Sequence, residues 1–164
     1  MEKAILKTLQ YADSFGYPMT LYEIHKWLIG KKTYLRTAEK TLKALMKKGK
    51  VKEKDGYFFL SKRIDLVESR ISKKNKPYTY IMKLSVLVFL LKFIPWIKLV
   101  GVNSQGLLVI SEGQKNLAYG KTDIYQAHEV LGMKVIWQRD NVYQKYLEEN
   151  AWAMKFLPNW VSRT

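Results

Sequence analysis

Metal-dependent and acid–base chemistry needs clustered carboxylates, imidazoles or thiolates, and this chain is short of such clusters. It has no cysteine, which removes disulfides, thiolate zinc ligands and cysteine nucleophiles together. His25 and His128 are the only histidines, too few for a zinc site without several converging acids. His25 stands beside Trp27 and reads as structural. His128-Glu129 has the residue types of an acid–base pair, but Val130, Leu131 and Met133 follow it, and a core or surface histidine is the simpler reading. Glu53-Lys-Asp55 is the only acid-x-acid spacing, and Asp55 belongs to an Asp-Gly turn. Gly101-Val-Asn-Ser104-Gln-Gly106 is one residue too long for the Gly-x-Ser-x-Gly nucleophile elbow, and a strand pattern follows where a helix is required. No Gly-rich phosphate loop of the Walker or dinucleotide type is present. No catalytic residue, metal ligand or cofactor is therefore expected.

Cations are abundant instead. Lys and Arg number 29 against 14 Asp and Glu, a net charge of +15. Residues 1–76 hold 19 basic and 8 acidic side chains, and residues 77–164 hold 10 and 6. An excess of this size favours a polyanion, either nucleic acid or an anionic membrane surface, although it also describes a basic protein kept dispersed by its lysines. The densest series is Arg36, Lys40, Lys43, Lys47, Lys48, Lys50, Lys52 and Lys54. Lysines suit phosphates better than base edges. Arg36, Lys40, Lys43, Lys47, Lys50, Lys52 and Lys54 are the candidate nucleic-acid-binding residues.

Positioning that series requires three helices and a hairpin. Ile5, Leu6, Leu9 and Ala12 recur at helical spacing, and Phe15-Gly-Tyr-Pro18 stops the pattern. Thr20 with Glu23 has capping-box spacing, and Leu21, Ile24, Trp27 and Leu28 form the second apolar stripe before Gly30. A third helix is expected from near Thr33 to about Lys48, with Leu35, Ala38, Leu42, Leu45 and Met46 inward and Gly49 as its stop. Lys50–Lys54 and Tyr57–Leu60 flank Asp55-Gly56, a strong hairpin signal. This order predicts a winged helix-turn-helix over residues 1–62. In such modules the third helix can enter a major groove while the hairpin touches the backbone. Winged helices also dock proteins, so a solvated helix face on an interaction module is the alternative.

Residues 63–76 read as a basic helical linker, and Pro77 starts the next element. Tyr78 to Phe93 is very apolar, but Lys83 and Lys92 bracket a run shorter than the roughly twenty residues of a membrane span. A buried core helix is expected, with membrane binding as the alternative. Ile97–Val102 and Leu107–Ile110 read as strands joined by the turn Asn103-Ser-Gln-Gly106. The aromatic tail, with Trp137, Tyr143, Tyr146, Trp152, Phe156 and Trp160, reads as helically spaced packing that could also stack bases.

The phrases Ile94-Pro-Trp-Ile-Lys-Leu-Val-Gly-Val102, Tyr125-Gln-Ala-His-Glu-Val130, Met133-Lys-Val135, Arg139-Asp-Asn141, Tyr143-Gln-Lys-Tyr146, Leu147-Glu-Glu-Asn-Ala-Trp152 and Phe156-Leu-Pro-Asn-Trp160 follow the predicted winged helix. In that order the chain resembles small bacterial proteins that place a winged helix before a nucleotidyltransferase domain of the DNA polymerase beta superfamily. The resemblance implies a Gly-Ser turn after the strand at Leu99–Val102, then an Asp-x-Asp pair and a third carboxylate. Those acids would hold divalent metals against a nucleoside triphosphate. Here the turn is Val102-Asn-Ser-Gln-Gly106. Between Val102 and Asp123 the only acid is Glu112, and Asp123 is expected to cap a helix. The resemblance thus implies a shortened member without its catalytic centre, and an active nucleotidyltransferase is the alternative.

The expected architecture is α+β and mostly helical. A winged helix and linker precede residues 77–164, the remnant of a nucleotidyltransferase-like domain with a short β-hairpin and a helical tail. The expected partner is nucleic acid, through the third helix and wing. No membrane span is expected, and exposed aromatics in the C-terminal region are expected to favour self-association. With no signal-peptide pattern at Met1-Glu-Lys-Ala-Ile, the expected location is cytoplasmic.

Overall fold

A computed structural model describes residues 1–60, 65–74, 87–103, 106–114, 117–118, 120 and 122–160. The architecture is α+β, with two three-stranded antiparallel sheets among the described residues. The chain divides into two units, one of residues 1–76 with 156–164 and one of residues 77–155.

In the first unit the order is α1 (Glu2–Ser14), β1 (Met19–Thr20), α2 (Leu21–Lys26), α3 (Leu35–Lys47), β2 (Val51–Lys54), β3 (Tyr57–Leu60) and α4 (Asp65–Lys74). Ile5, Leu9 and Ala12 of α1 meet Ile24, Leu28, Leu42, Leu45 and Val51 in one core. The buried Thr8 is satisfied on both sides. Its hydroxyl donates to the Ala4 carbonyl at 2.9 Å and accepts from the Ile29 amide at 3.0 Å. The capping box of α2 forms in full, with the Glu23 amide donating to Thr20 and the Thr20 amide to Glu23. In the sheet, of order β1-β3-β2, the turn at Asp55-Gly56 has both residues at positive φ, 54° and 78°. That pair of left-handed residues is what a two-residue hairpin needs.

Helix α4, in the segment read as a basic helical linker, places single side chains against the rest of this unit. Val67 is fully buried. The Arg70 guanidinium lies 3.9 Å from the Tyr17 ring centroid and 4.7 Å from that of Tyr57. It also donates to Glu23 at 2.6 Å and to the Pro18 carbonyl. Burial raises the Glu23 carboxyl, but Arg70 and the Thr20 amide outweigh it and hold the group below its ordinary value. The polar look of residues 63–76 hid these few anchoring positions.

The second unit contains a helical segment at 87–91, then β4 (Ile97–Asn103), β5 (Gly106–Ser111), α5 (Ile124–Gly132), β6 (Lys134–Gln138) and α6 (Val142–Glu149). Helix α7 (Ala153–Phe156) leads into the C-terminal segment. The sheet order is β5-β4-β6. The expected hairpin is therefore extended by a third strand. Lys134–Gln138 alternates exposed and half-buried side chains, a period-two pattern that the apolar run ending at Met133 obscured. Trp137 accordingly lies on a strand, not a helix. Gly101 sits where a Cβ would come within 2.7 Å of the Met133 sulfur, so glycine lets the β4 backbone approach α5's end.

Two further expectations are corrected. Residues 78–86 of the apolar run lie outside the described residues. In the remainder, Val88, Leu91 and Ile94 pack with Ile97, Val100 and Trp137, but Leu87, Phe89, Leu90 and Phe93 are exposed. In the described segment apolar side chains point both toward the sheet and away from it, and the sheet covers one side only. The C-terminal aromatics, by contrast, are half-buried or buried, Tyr146 and Trp160 most of all, which removes the reason for expecting a sticky tail.

Candidate nucleic-acid interface

Four of the seven candidate cations share one helix face. Arg36, Lys40, Lys43 and Lys47 stand at i, i+4, i+7 and i+11, which confines them to an arc of about 60°. Ala38, Leu42 and Leu45 are buried on the opposite side. Packing of the apolar stripe thus turns the basic stripe directly outward, and all four cations are exposed. The stripe runs roughly 16 Å, enough to cross a major groove about 12 Å wide. Lys43 is bonded to Glu39 at 2.7 Å. Arg36, Lys40 and Lys47 have no ion pair among the described residues. Lys48 is tied to Glu2 at 2.6 Å.

The hairpin cations separate from this stripe. Val51, Phe58 and Leu60 face the core, so strand alternation puts Lys52 and Lys54 on the other face with Phe59 and Tyr57. There Lys54 bonds Glu68 of α4 at 2.8 Å, while Lys50 and Lys52 are exposed. The contiguous surface is therefore the α3 face with Lys50 at its C-terminal end. Lys52 lies beyond it, and Lys54 is engaged elsewhere.

Residues the spacing argument passed over complete the surface. Lys31 and Lys32 are exposed just before α3, and Tyr34 at its N-terminus is 84% exposed. A large ring left in water beside a cationic helix has the right chemistry to stack or to lie on a sugar. The available signal was Lys31-Lys-Thr-Tyr34 itself, four residues without an apolar aliphatic.

The loop before α3 is hydrogen-bonded to Phe156 and Asn159. The Thr33 amide donates to Asn159 Oδ1 at 2.8 Å, and the Asn159 side-chain amide donates to the His25 carbonyl at 2.9 Å. The Gly30 amide donates to the Phe156 carbonyl at 2.7 Å, and His25 Nε2 pairs with the Thr33 carbonyl at 2.8 Å. His25 is thus structural. Lys26 lies 5.8 Å from the Trp160 ring centroid.

The remaining sequence candidates serve local structure. Glu53 accepts from the Gly56 amide at 2.7 Å within the hairpin turn. Asp123 caps α5 by accepting from the Gln126 amide at 2.9 Å. Glu112 lies 3.8 Å from Lys98, which also bonds Asp140 at 2.9 Å. Asn103 accepts from the Gly106 amide at 3.2 Å, closing the turn on itself; Ser104 and Gln105 lie outside the described residues. Burial lowers His128 to about 4, so it is neutral near pH 7. Among the described residues no three His, Asp or Glu side chains come together as a metal site, and no helix is long and apolar enough to cross a membrane.

No protein-family model, curated protein or solved structure matches this chain.

Proposed function

We propose that residues 1–62 form a winged helix-turn-helix module that binds nucleic acid through phosphate contacts made by α3. The observation that carries this is the stripe Arg36, Lys40, Lys43 and Lys47, projected outward opposite a buried Ala38, Leu42 and Leu45. The element order α1-β1-α2-α3-β2-β3 supports the module. Three of the four stripe cations are lysines, so contact is phosphate-led and sequence discrimination weak. The second unit is read as a nucleotidyltransferase-like remnant without a catalytic centre. In support, Glu112 and Asp123 are used for an ion pair and a helix cap.

The test is binding of a labelled DNA duplex and an RNA hairpin at low salt, followed by anisotropy. Micromolar or tighter binding that weakens steeply with salt is expected. A protein partner retained after nuclease treatment and high salt, with no duplex or hairpin binding, would replace this reading by a protein-docking module. Incorporation of labelled nucleotide with magnesium or manganese, lost on Glu112→Gln or Asp123→Asn, would restore an active transferase.

A further inference from the structure

We propose that the turn before α3 is a stacking site for unpaired bases, so that the favoured ligand is a nucleic acid with a single-stranded segment; this rests on the phosphate-led reading of α3. Position 34 breaks a local rule of helix design. Tyr34 is the N-cap of α3 and gives it no side-chain cap, where Ser, Thr, Asn or Asp would supply one. Its ring is 84% exposed and makes no hydrogen bond or ring contact among the described residues. A residue that serves neither cap nor core marks a place where function overrides local preference. The backbone beneath it is held, because the Thr33 amide is bonded to Asn159 and the Thr33 carbonyl to His25, both at 2.8 Å. The ring is thus presented from a fixed turn, which lowers the ordering cost of a contact.

A second ring borders the same turn. Tyr22 is 73% exposed and stands three residues before His25 on α2, hence on the same side of the helix one turn away, and His25 is the residue that holds Thr33. Charge around the turn has one sign. Residues 24–38 contain Lys26, Lys31, Lys32 and Arg36 and no acid. The acids at either end of that stretch are occupied, Glu23 by Arg70 at 2.6 Å and Glu39 by Lys43 at 2.7 Å. Lys31, Lys32 and Arg36 are exposed and have no ion pair among the described residues. Exposed rings among such cations are the two parts of a single-strand site: the cations follow the backbone and the rings take base faces. A blunt duplex hides those faces inside its stack, whereas an unpaired base offers them.

The test compares two labelled DNA probes with the full chain, by anisotropy at low salt: a blunt duplex, and the same duplex with a single-stranded thymidine tail. The tailed duplex is expected to bind about tenfold more tightly. Tyr34→Ala should bring it down to the blunt-duplex affinity while leaving blunt-duplex binding and its salt slope unchanged. Tyr34→Phe should keep the preference, since the ring stacks without its hydroxyl, and Tyr22→Ala should lower it without abolishing it. Lys47→Ala should weaken both probes alike. As an independent readout, 2-aminopurine placed in the tail should change its emission on binding the wild type and Tyr34→Phe but not Tyr34→Ala. Equal affinity for the two probes overturns the stacking site and leaves the phosphate-led reading standing. A tail preference that survives Tyr34→Ala comes from the added phosphates and does the same. No binding to either probe overturns both.

Discussion

Replacing Asn159 by alanine removes the side chain that joins the end of the chain to the loop before α3. Asn159 is buried, and its bonds to the Thr33 amide and His25 carbonyl measure 2.8 and 2.9 Å. Alanine leaves the Thr33 amide without its acceptor, while the His25 carbonyl keeps only the Leu28 amide at 3.4 Å. At about 1–3 kcal/mol for one unsatisfied group, the loss is a large share of a small unit's stability. Urea unfolding of the full chain should show it, and the Thr33 amide should exchange faster. Asn159→Asp keeps an acceptor for Thr33 and loses the donor to His25, so an intermediate cost is expected. Because no cation is removed, duplex affinity should fall with its salt slope unchanged. A stability change below about 0.5 kcal/mol, with unaltered exchange at Thr33, would refute the idea that the terminal segment positions α3.

Three other outcomes follow from packing and charge. Gly101→Ala drives a Cβ to within 2.7 Å of the Met133 sulfur and should cost about 1–3 kcal/mol by overpacking, read as a lower melting temperature of the second unit. His128 is held at about 4 by burial, against an ordinary 6.5. The unfolded chain therefore takes up the proton first as pH falls. Stability is fully present above about 6.5 and declines towards 4, by at most about 3 kcal/mol; His128→Gln should flatten melting temperature against pH across that window. Arg70→Ala leaves Glu23 half-buried without its cation and should cost about 2–3 kcal/mol in urea unfolding at pH 7. The cost should shrink progressively as pH falls from about 4.5 through the depressed folded value of Glu23, where the contribution of the charged carboxyl is lost.

The elements with strong local signals were legible from residue order alone. Thr20 and Glu23 announced the start of α2, Asp55-Gly56 the hairpin, and Asp123 the cap of α5, because each depends on contacts within four residues. The stripe on α3 was equally legible, since helical periodicity fixes which side faces away from Leu42 and Leu45. What failed depends on distant partners. Lys134–Gln138 becomes a strand because β4 has a second edge to pair, which no neighbouring residue reports. The exposure of Phe89 and Phe93 follows from the number of layers over the segment, not from its own apolarity. Arg70 looked like one more surface cation until Tyr17, Glu23 and Tyr57 were brought around it. Lys54 looked like part of the basic surface until Glu68 was placed beside it.

The most direct test of phosphate-led binding by α3 is the salt dependence of duplex affinity for the wild type and for Lys47→Ala. Lys47 is exposed and has no ion pair among the described residues, whereas Lys43 is already bonded to Glu39. On a plot of log affinity against log salt, Lys47→Ala should lower the slope by about 0.9, Lys43→Ala by less, and Lys54→Ala hardly at all. Equal slopes for the wild type and Lys47→Ala, or an affinity indifferent to salt, would contradict the account.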